Sequence, residues 1–113
     1  MVDKAIFLMN RTFSAALKEE VRKCGIYDQG PKRNLCISKS KLNILTKKLQ
    51  KLKSLNLKYN QEKNSEKCRQ KMNKYIEKTS RQIEIEKDSI ISYKNELERI
   101  DREERLKRAM NEQ

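Results

Sequence analysis

The side chains best suited to chemistry in this chain are three cysteines, because its 113 residues include no histidine. Cys24, Cys36 and Cys68 do not have the spacings of the usual zinc or thioredoxin-type motifs. An odd number of cysteines without a recognisable signal peptide is typical of unpaired thiols in a reducing compartment. We therefore expect no metal and no cofactor. We also expect an intracellular location, with the nucleus favoured over the cytoplasm and the mitochondrion ranked last.

The sequence also contains no obvious group for acid–base catalysis. Carboxylates such as Glu84 and Asp88 are one helical turn apart, but they are surrounded by basic residues on a stretch predicted to be exposed. The chain has two glycines, too few for a glycine-rich loop that cradles phosphates. The sequence therefore predicts a protein that is not an enzyme and has no small-molecule substrate.

The positive charge is concentrated in one segment. The chain carries a net charge of +12, and residues 29–61 contain no carboxylate. Such a basic segment, here 32–58, is typical of a surface that contacts nucleic-acid phosphates, with an acidic protein surface as the alternative. A simply solvated face and an anionic membrane are further alternatives. The predicted contact residues are Lys32, Arg33, Lys41, Lys47, Lys48, Lys51 and Lys58.

Any nucleic-acid contact should be independent of base sequence. Base readout relies on arginine, asparagine or glutamine in a groove, or on stacked aromatic rings. The basic segment contains one arginine, Arg33, and the nearest aromatic residue is Tyr59. The sequence therefore favours contacts to the phosphate backbone alone.

The elements that carry these residues are predicted to be helices. Over residues 1–24, apolar side chains recur at steps of three and four, which predicts an amphipathic helix that ends at a left-handed Gly25. Residues 25–37, which include Gly30 and Pro31, are predicted to be a connector. The packing residues of this first helix are Ile6, Met9, Phe13, Leu17 and Val21.

Residues 38–113 are predicted to be a coiled-coil region that begins at Ser38 or Ser40. Its apolar seam fades over residues 60–71 and returns displaced by one residue. This favours an antiparallel hairpin with a turn near 60–65 over one continuous helix. The predicted seam residues are Leu42, Leu45, Leu49, Leu52, Met72, Ile76, Ile83, Ile90, Leu97 and Ile100.

The C-terminal stretch can remain helical in water. Four acid-before-base pairs at i, i+4 each stabilise a helix by roughly 0.2–0.5 kcal/mol; they are Glu98–Arg102, Asp101–Arg105, Glu103–Lys107 and Glu104–Arg108. A helix from Ser65 to Met110 would be about 69 Å long, too long for the preceding helix to cover. The uncovered part predicts a protein partner.

The chain is thus predicted to be an all-α, non-enzymatic coiled-coil protein that acts as a structural or adaptor subunit of a larger assembly. Its partners would be other coiled-coil subunits, in a homo- or hetero-oligomer, and RNA or DNA backbone or an acidic surface. The alternative is a helical protein that binds RNA or DNA by itself, without sequence preference. Attachment to a membrane surface through residues 2–24 is disfavoured, because that helix carries mixed charge.

Overall fold

The computed structural model describes residues 2–27, 29–61 and 66–111, and nearly all of them are helical. Helix α1 spans Val2–Arg22, α2 spans Pro31–Gln61 and α3 spans Glu66–Asn111. A 3₁₀ turn, Lys23–Ile26, follows α1. No strand occurs within these described ranges, and the predicted all-α class is confirmed.

The end of α1 differs from the prediction. The 3₁₀ turn tightens the chain after Arg22, and the backbone N–H of Tyr27 donates to the carbonyl oxygen of Cys24 at 3.2 Å. This bond satisfies a carbonyl at the helix end without a left-handed residue. The predicted left-handed cap at Gly25 is wrong, because Gly30 is the glycine with positive φ, at 137°.

Helix α2 begins at Pro31, so the prediction that it begins at Ser38 or Ser40 is wrong. Proline suits the first position of a helix, because its φ is already helical and its missing N–H needs no partner there. The first helical bond runs from the backbone N–H of Asn34 to the carbonyl oxygen of Gly30, at 3.0 Å. Ser38 is buried inside the helix bundle and does not cap a helix end. The connector is accordingly shorter than the predicted 25–37.

Helices α2 and α3 form the predicted antiparallel hairpin. Near one end Leu52 of α2 packs in one cluster with Met72 of α3, and near the other Leu35 and Leu97 line a common groove. The pair near the turn is close together in sequence, and the pair far from the turn is far apart in sequence. This is the pattern of two antiparallel helices joined by a turn. Of the turn predicted near 60–65, residues 60 and 61 belong to α2 and residues 62–65 lie outside the described part of the chain.

Helix α1 packs antiparallel to α2 and completes a three-helix bundle at the end near the hairpin turn. We call this end the closed end. Its core is formed by the buried Ile6, Met9, Leu52 and Met72, with Phe13, Leu55, Cys68, Tyr75 and Ile76 packed against them. Full burial of one such aliphatic side chain stabilises the fold by about 1.5–3 kcal/mol.

The opposite end of α3 extends beyond the bundle. The 46 residues of α3 give a helix of about 69 Å. All side chains from 101 to 111 are exposed, and we call this segment the overhang. Of the four predicted ion pairs, Asp101–Arg105 forms at 2.9 Å, whereas Glu103 pairs with Arg99 at 3.0 Å and not with Lys107.

Candidate functional site

Three of the predicted contact residues point in similar directions from α2, and one of them, Lys51, also borders a groove lined by Leu8, Met9 and Phe13 of α1. Lys47, Lys51 and Lys58 are all exposed. At 100° per residue their directions around the helix axis lie within about 40° of one another. We call these three residues the outer basic face. Lys32 is exposed near the start of α2, and Arg33 beside it is half-buried.

Within the described part of the chain, no carboxylate forms an ion pair with a lysine of the outer basic face. The ion pairs among the described residues lie within α1, the 3₁₀ turn and α3, and none of them includes a lysine of α2. Helices α1 and α3 therefore satisfy part of their charge internally, whereas α2 presents its positive charge to solvent. An uncompensated row of cations attracts anionic surfaces and raises the rate of encounter with them.

Lys41 and Lys48 lie elsewhere, in a groove between α1 and α3 that has α2 as its floor. We call it the interhelical groove, and its volume is about 320 Å³. The prediction grouped these two lysines with the other contact residues, but the structure separates them from the outer basic face. The lining residues are Asn10, Phe13, Ser14 and Leu17 of α1, Lys41, Ile44, Leu45 and Lys48 of α2, and Gln82, Ile85 and Glu86 of α3.

The surroundings of Lys48 disfavour its protonated, charged form. Partial burial, and to a smaller extent the ammonium group of Lys78 on α3, lowers the pKa of Lys48 below its ordinary value. Removing a cation from water and placing it beside another cation both disfavour the protonated form. Neither Lys41 nor Lys48 has an ion-pair partner within the described part of the chain.

The predicted seam residues face the interior of the bundle. Leu52, Met72, Ile83 and Ile90 are buried, and Leu42, Leu45, Leu49, Ile76, Leu97 and Ile100 are half-buried. Of the α1 packing residues, Ile6 and Met9 are buried and Phe13, Leu17 and Val21 are half-buried. The two aliphatic rows of α2 and α3 therefore cover each other, and α1 covers part of both.

One buried residue of α2 is not among the predicted packing residues. Ile44 is buried, although it stands outside the predicted seam. Together with Ile37 and Leu55, seven residues before it and eleven after it, it forms a second apolar stripe on α2. Such a second stripe indicates a second packing neighbour, which is α1.

The expectation of three unpaired thiols is wrong, because Cys24 and Cys36 form a disulfide. Their Cα atoms are 5.7 Å apart, which brings the 3₁₀ turn after α1 against the start of α2. The prediction of a reducing compartment is based on unpaired cysteines, so the disulfide removes its basis. Cys68 lies outside the disulfide and is half-buried against the core of the closed end.

Other kinds of site find no support among the described residues. No group of three or more His, Cys, Asp or Glu side chains there is placed to hold a metal ion. No described helix has the length and apolarity needed to span a bilayer. Comparison of the chain with known protein families, curated proteins and solved structures finds no match. The outer basic face and the interhelical groove are thus the two surfaces from which a function can be argued.

Proposed function

We propose that this protein is a non-enzymatic, coiled-coil structural subunit of a larger assembly that docks on nucleic-acid phosphates through its outer basic face. The observation that carries the proposal is the row formed by Lys47, Lys51 and Lys58, which is exposed and unpaired among the described residues. Lysines without interleaved aromatic rings suit contacts to phosphates, which do not depend on base sequence.

The dimensions of the molecule support a role in an assembly. The accessible surface is 9002 Å², whereas a compact chain of this mass exposes about 6,500 Å². The radius of gyration is 19.9 Å, against about 13 Å for a compact domain of this length. The extended shape and the exposed overhang leave a long helical surface on which partner helices could pack.

The absence of an enzymatic role is part of the proposal. The chain has no histidine, and Glu84 and Asp88 lie exposed on α3. Exposed carboxylates on the surface of a helix do not form the enclosed cleft in which a substrate would be held.

A charge-reversal experiment tests the outer basic face. The triple variant Lys47→Glu, Lys51→Glu, Lys58→Glu is compared with a matched control, Lys74→Glu, Lys94→Glu, Lys107→Glu, which reverses three exposed lysines of α3. Both variants have the same net charge. Binding to a labelled RNA or DNA duplex is followed by fluorescence anisotropy over a range of salt concentrations.

We expect the α2 variant to lose more than tenfold in affinity. Its salt dependence should also become shallower, by about 0.9 in the log–log slope for each phosphate that the variant no longer neutralises. The control should bind within a few-fold of the wild type. An equal loss in both variants, or no loss in either, would contradict the proposal. Loss of binding to immobilised polyglutamate with unchanged duplex binding would identify an acidic protein surface instead.

A second candidate is a nucleic-acid-binding protein that acts without partners. The observation in its favour is that the two seams cover each other, so the chain has a core of its own. Sedimentation of the purified chain distinguishes the two candidates. A folded monomer that coats a duplex to saturation would support the second candidate. A chain that aggregates through exposed apolar side chains, such as Leu106 and Met110 of the overhang, would support the first.

A further inference from the structure

The interhelical groove has apolar walls that the described residues leave partly uncovered. Ile85 of α3 is 61% exposed although it lines the groove. Across from it, Phe13 and Leu17 of α1 are only half-buried. The buried Ile44 and the half-buried Leu45 form the apolar part of the floor. Covering these side chains would stabilise a complex through the hydrophobic effect, at about 25 cal/mol per Å² of apolar surface.

Positive charge borders this apolar surface. Lys41 and Lys48 line the groove, and Lys78 is close enough to Lys48 to oppose its charge. Glu86 is the carboxylate in the groove lining. Lys48 and Lys78 repel each other, and a carboxylate of a bound partner would attract both of them.

An unsatisfied polar atom also lies in the groove lining. The side-chain oxygen Oδ1 of Asn10 is buried and has no hydrogen-bond partner among the described residues. A buried carbonyl oxygen without a donor costs about 1–3 kcal/mol. The atom has almost no accessible surface, so a ligand in the groove could donate to it only after the Asn10 side chain had shifted.

We infer that the interhelical groove receives an acidic amphipathic helix from a partner protein. The apolar side of that helix would cover Phe13, Leu17 and Ile85, and its carboxylates would meet Lys41 and Lys48. The wall from Asn10 to Leu17 is about two helical turns long. The partner would therefore use three anchors at i, i+3 or i+4, and i+7, the usual pattern of a helix in a groove.

Charge argues against a second copy of this chain as the occupant. The net charge of +12 opposes self-association. The overhang, the segment most available to another molecule, has four bases and three acids over residues 101–111 and is not acidic. The groove therefore suits a foreign helix of opposite charge.

The inference goes beyond the proposed function, because the groove and the outer basic face are adjacent but distinct surfaces of α2, with different lysines in each. Lys47 and Lys48 are neighbours in sequence, yet they point about 100° apart around the helix axis. One surface can consequently fail a test that the other passes.

A synthetic peptide probes the groove directly. It has about 18 residues, long enough to favour a helix, with leucines at the anchor positions and glutamates flanking them. A control peptide has lysines in place of the glutamates. Fluorescence anisotropy measures the binding of each labelled peptide to the full chain.

Two pairs of matched variants localise the binding. Ile85→Glu is compared with Ile91→Glu, because Ile91 is similarly exposed, at 58%, on the same helix but does not line the groove. Lys48→Glu is compared with Lys47→Glu, which makes the same charge change on the outer basic face. We expect Ile85→Glu and Lys48→Glu each to weaken binding of the acidic peptide at least tenfold, and their controls less than twofold.

Several results would overturn the inference. These are no saturable binding of the acidic peptide to the wild type, equal binding of the lysine peptide, or equal losses within either pair of variants. Circular dichroism of each variant confirms that it is folded. Loss of duplex binding on reversal of the outer basic face, with peptide binding retained, would leave both conclusions standing. Failure of only one assay would reject only the surface that it tests.

Discussion

The closed end and the overhang are built from similar residues but have opposite surroundings. At the closed end Leu52 and Met72 are almost completely buried. In the overhang Leu106 and Met110 are 65% and 75% exposed. Leucine and methionine occur in both places, so residue type does not explain the difference. The difference in burial comes from the number of helices around α3. Both α1 and α2 cover its first turns, and neither reaches its last turns.

The two regions also differ in what stabilises their helices. At the closed end the helices are held by burial of apolar side chains in a shared core. In the overhang the helix depends on local hydrogen bonds and on exposed ion pairs such as Asp101–Arg105. Exposed ion pairs contribute little, so local opening should begin in the overhang.

The largest contrast should come from truncating a leucine in each region. Leu52→Ala removes a side chain with no exposed surface. It should lower the free energy of unfolding by about 2–5 kcal/mol, because a cavity remains in the core. Leu106→Ala should change it by less than about 0.5 kcal/mol. Urea unfolding followed by circular dichroism measures both changes, and similar losses in the two variants would contradict the comparison.

An intermediate effect is expected from the link between α1 and α2. The disulfide joins residues twelve positions apart. Removal of a cross-link that closes a loop of this size should lower the free energy of unfolding by about 3 kcal/mol. Cys36→Ser is the variant, and urea unfolding again gives the change. A reductant should destabilise the wild type and leave Cys36→Ser unaffected; a wild type indifferent to reductant would contradict the prediction.

The smallest effect should follow removal of residues 101–113. The deletion eliminates two exposed ion pairs, Arg99–Glu103 and Asp101–Arg105, and no buried side chain of the described residues. At roughly 0.2–0.5 kcal/mol per pair, the free energy of unfolding should fall by less than about 1 kcal/mol. Thermal unfolding of the shortened chain measures this change. A decrease as large as that of Leu52→Ala would mean that the overhang contributes to the core.

Much of the architecture could be predicted because helical periodicity is a local property. The steps of three and four that end in Leu52 and resume at Met72 place both residues on the inner sides of their helices. The displaced phase between them favoured the hairpin that the structure contains. The start of α2 is harder to predict, because a proline such as Pro31 is suited both to a connector and to the first turn of a helix.

The candidate site was harder to predict because it depends on how α1 lies across α2. All the lysines of the basic segment have the same chemistry. The seam places Lys47 opposite it and Lys48 near its edge, but it does not show whether another helix lies beside Lys48. The position of α1 places Lys48 in a groove and leaves Lys47 in solvent. The stripe of Ile37, Ile44 and Leu55 could have indicated that position.

By itself, the sequence determined the helices, their apolar faces and the concentration of charge in α2, since each follows from residues close together in the chain. Only the tertiary structure decided that Cys24 and Cys36 are bonded, that Ile44 is buried and that Lys41 and Lys48 face an apolar groove. Those features depend on contacts between helices, and a one-dimensional pattern specifies which side of a helix is apolar without specifying what covers it.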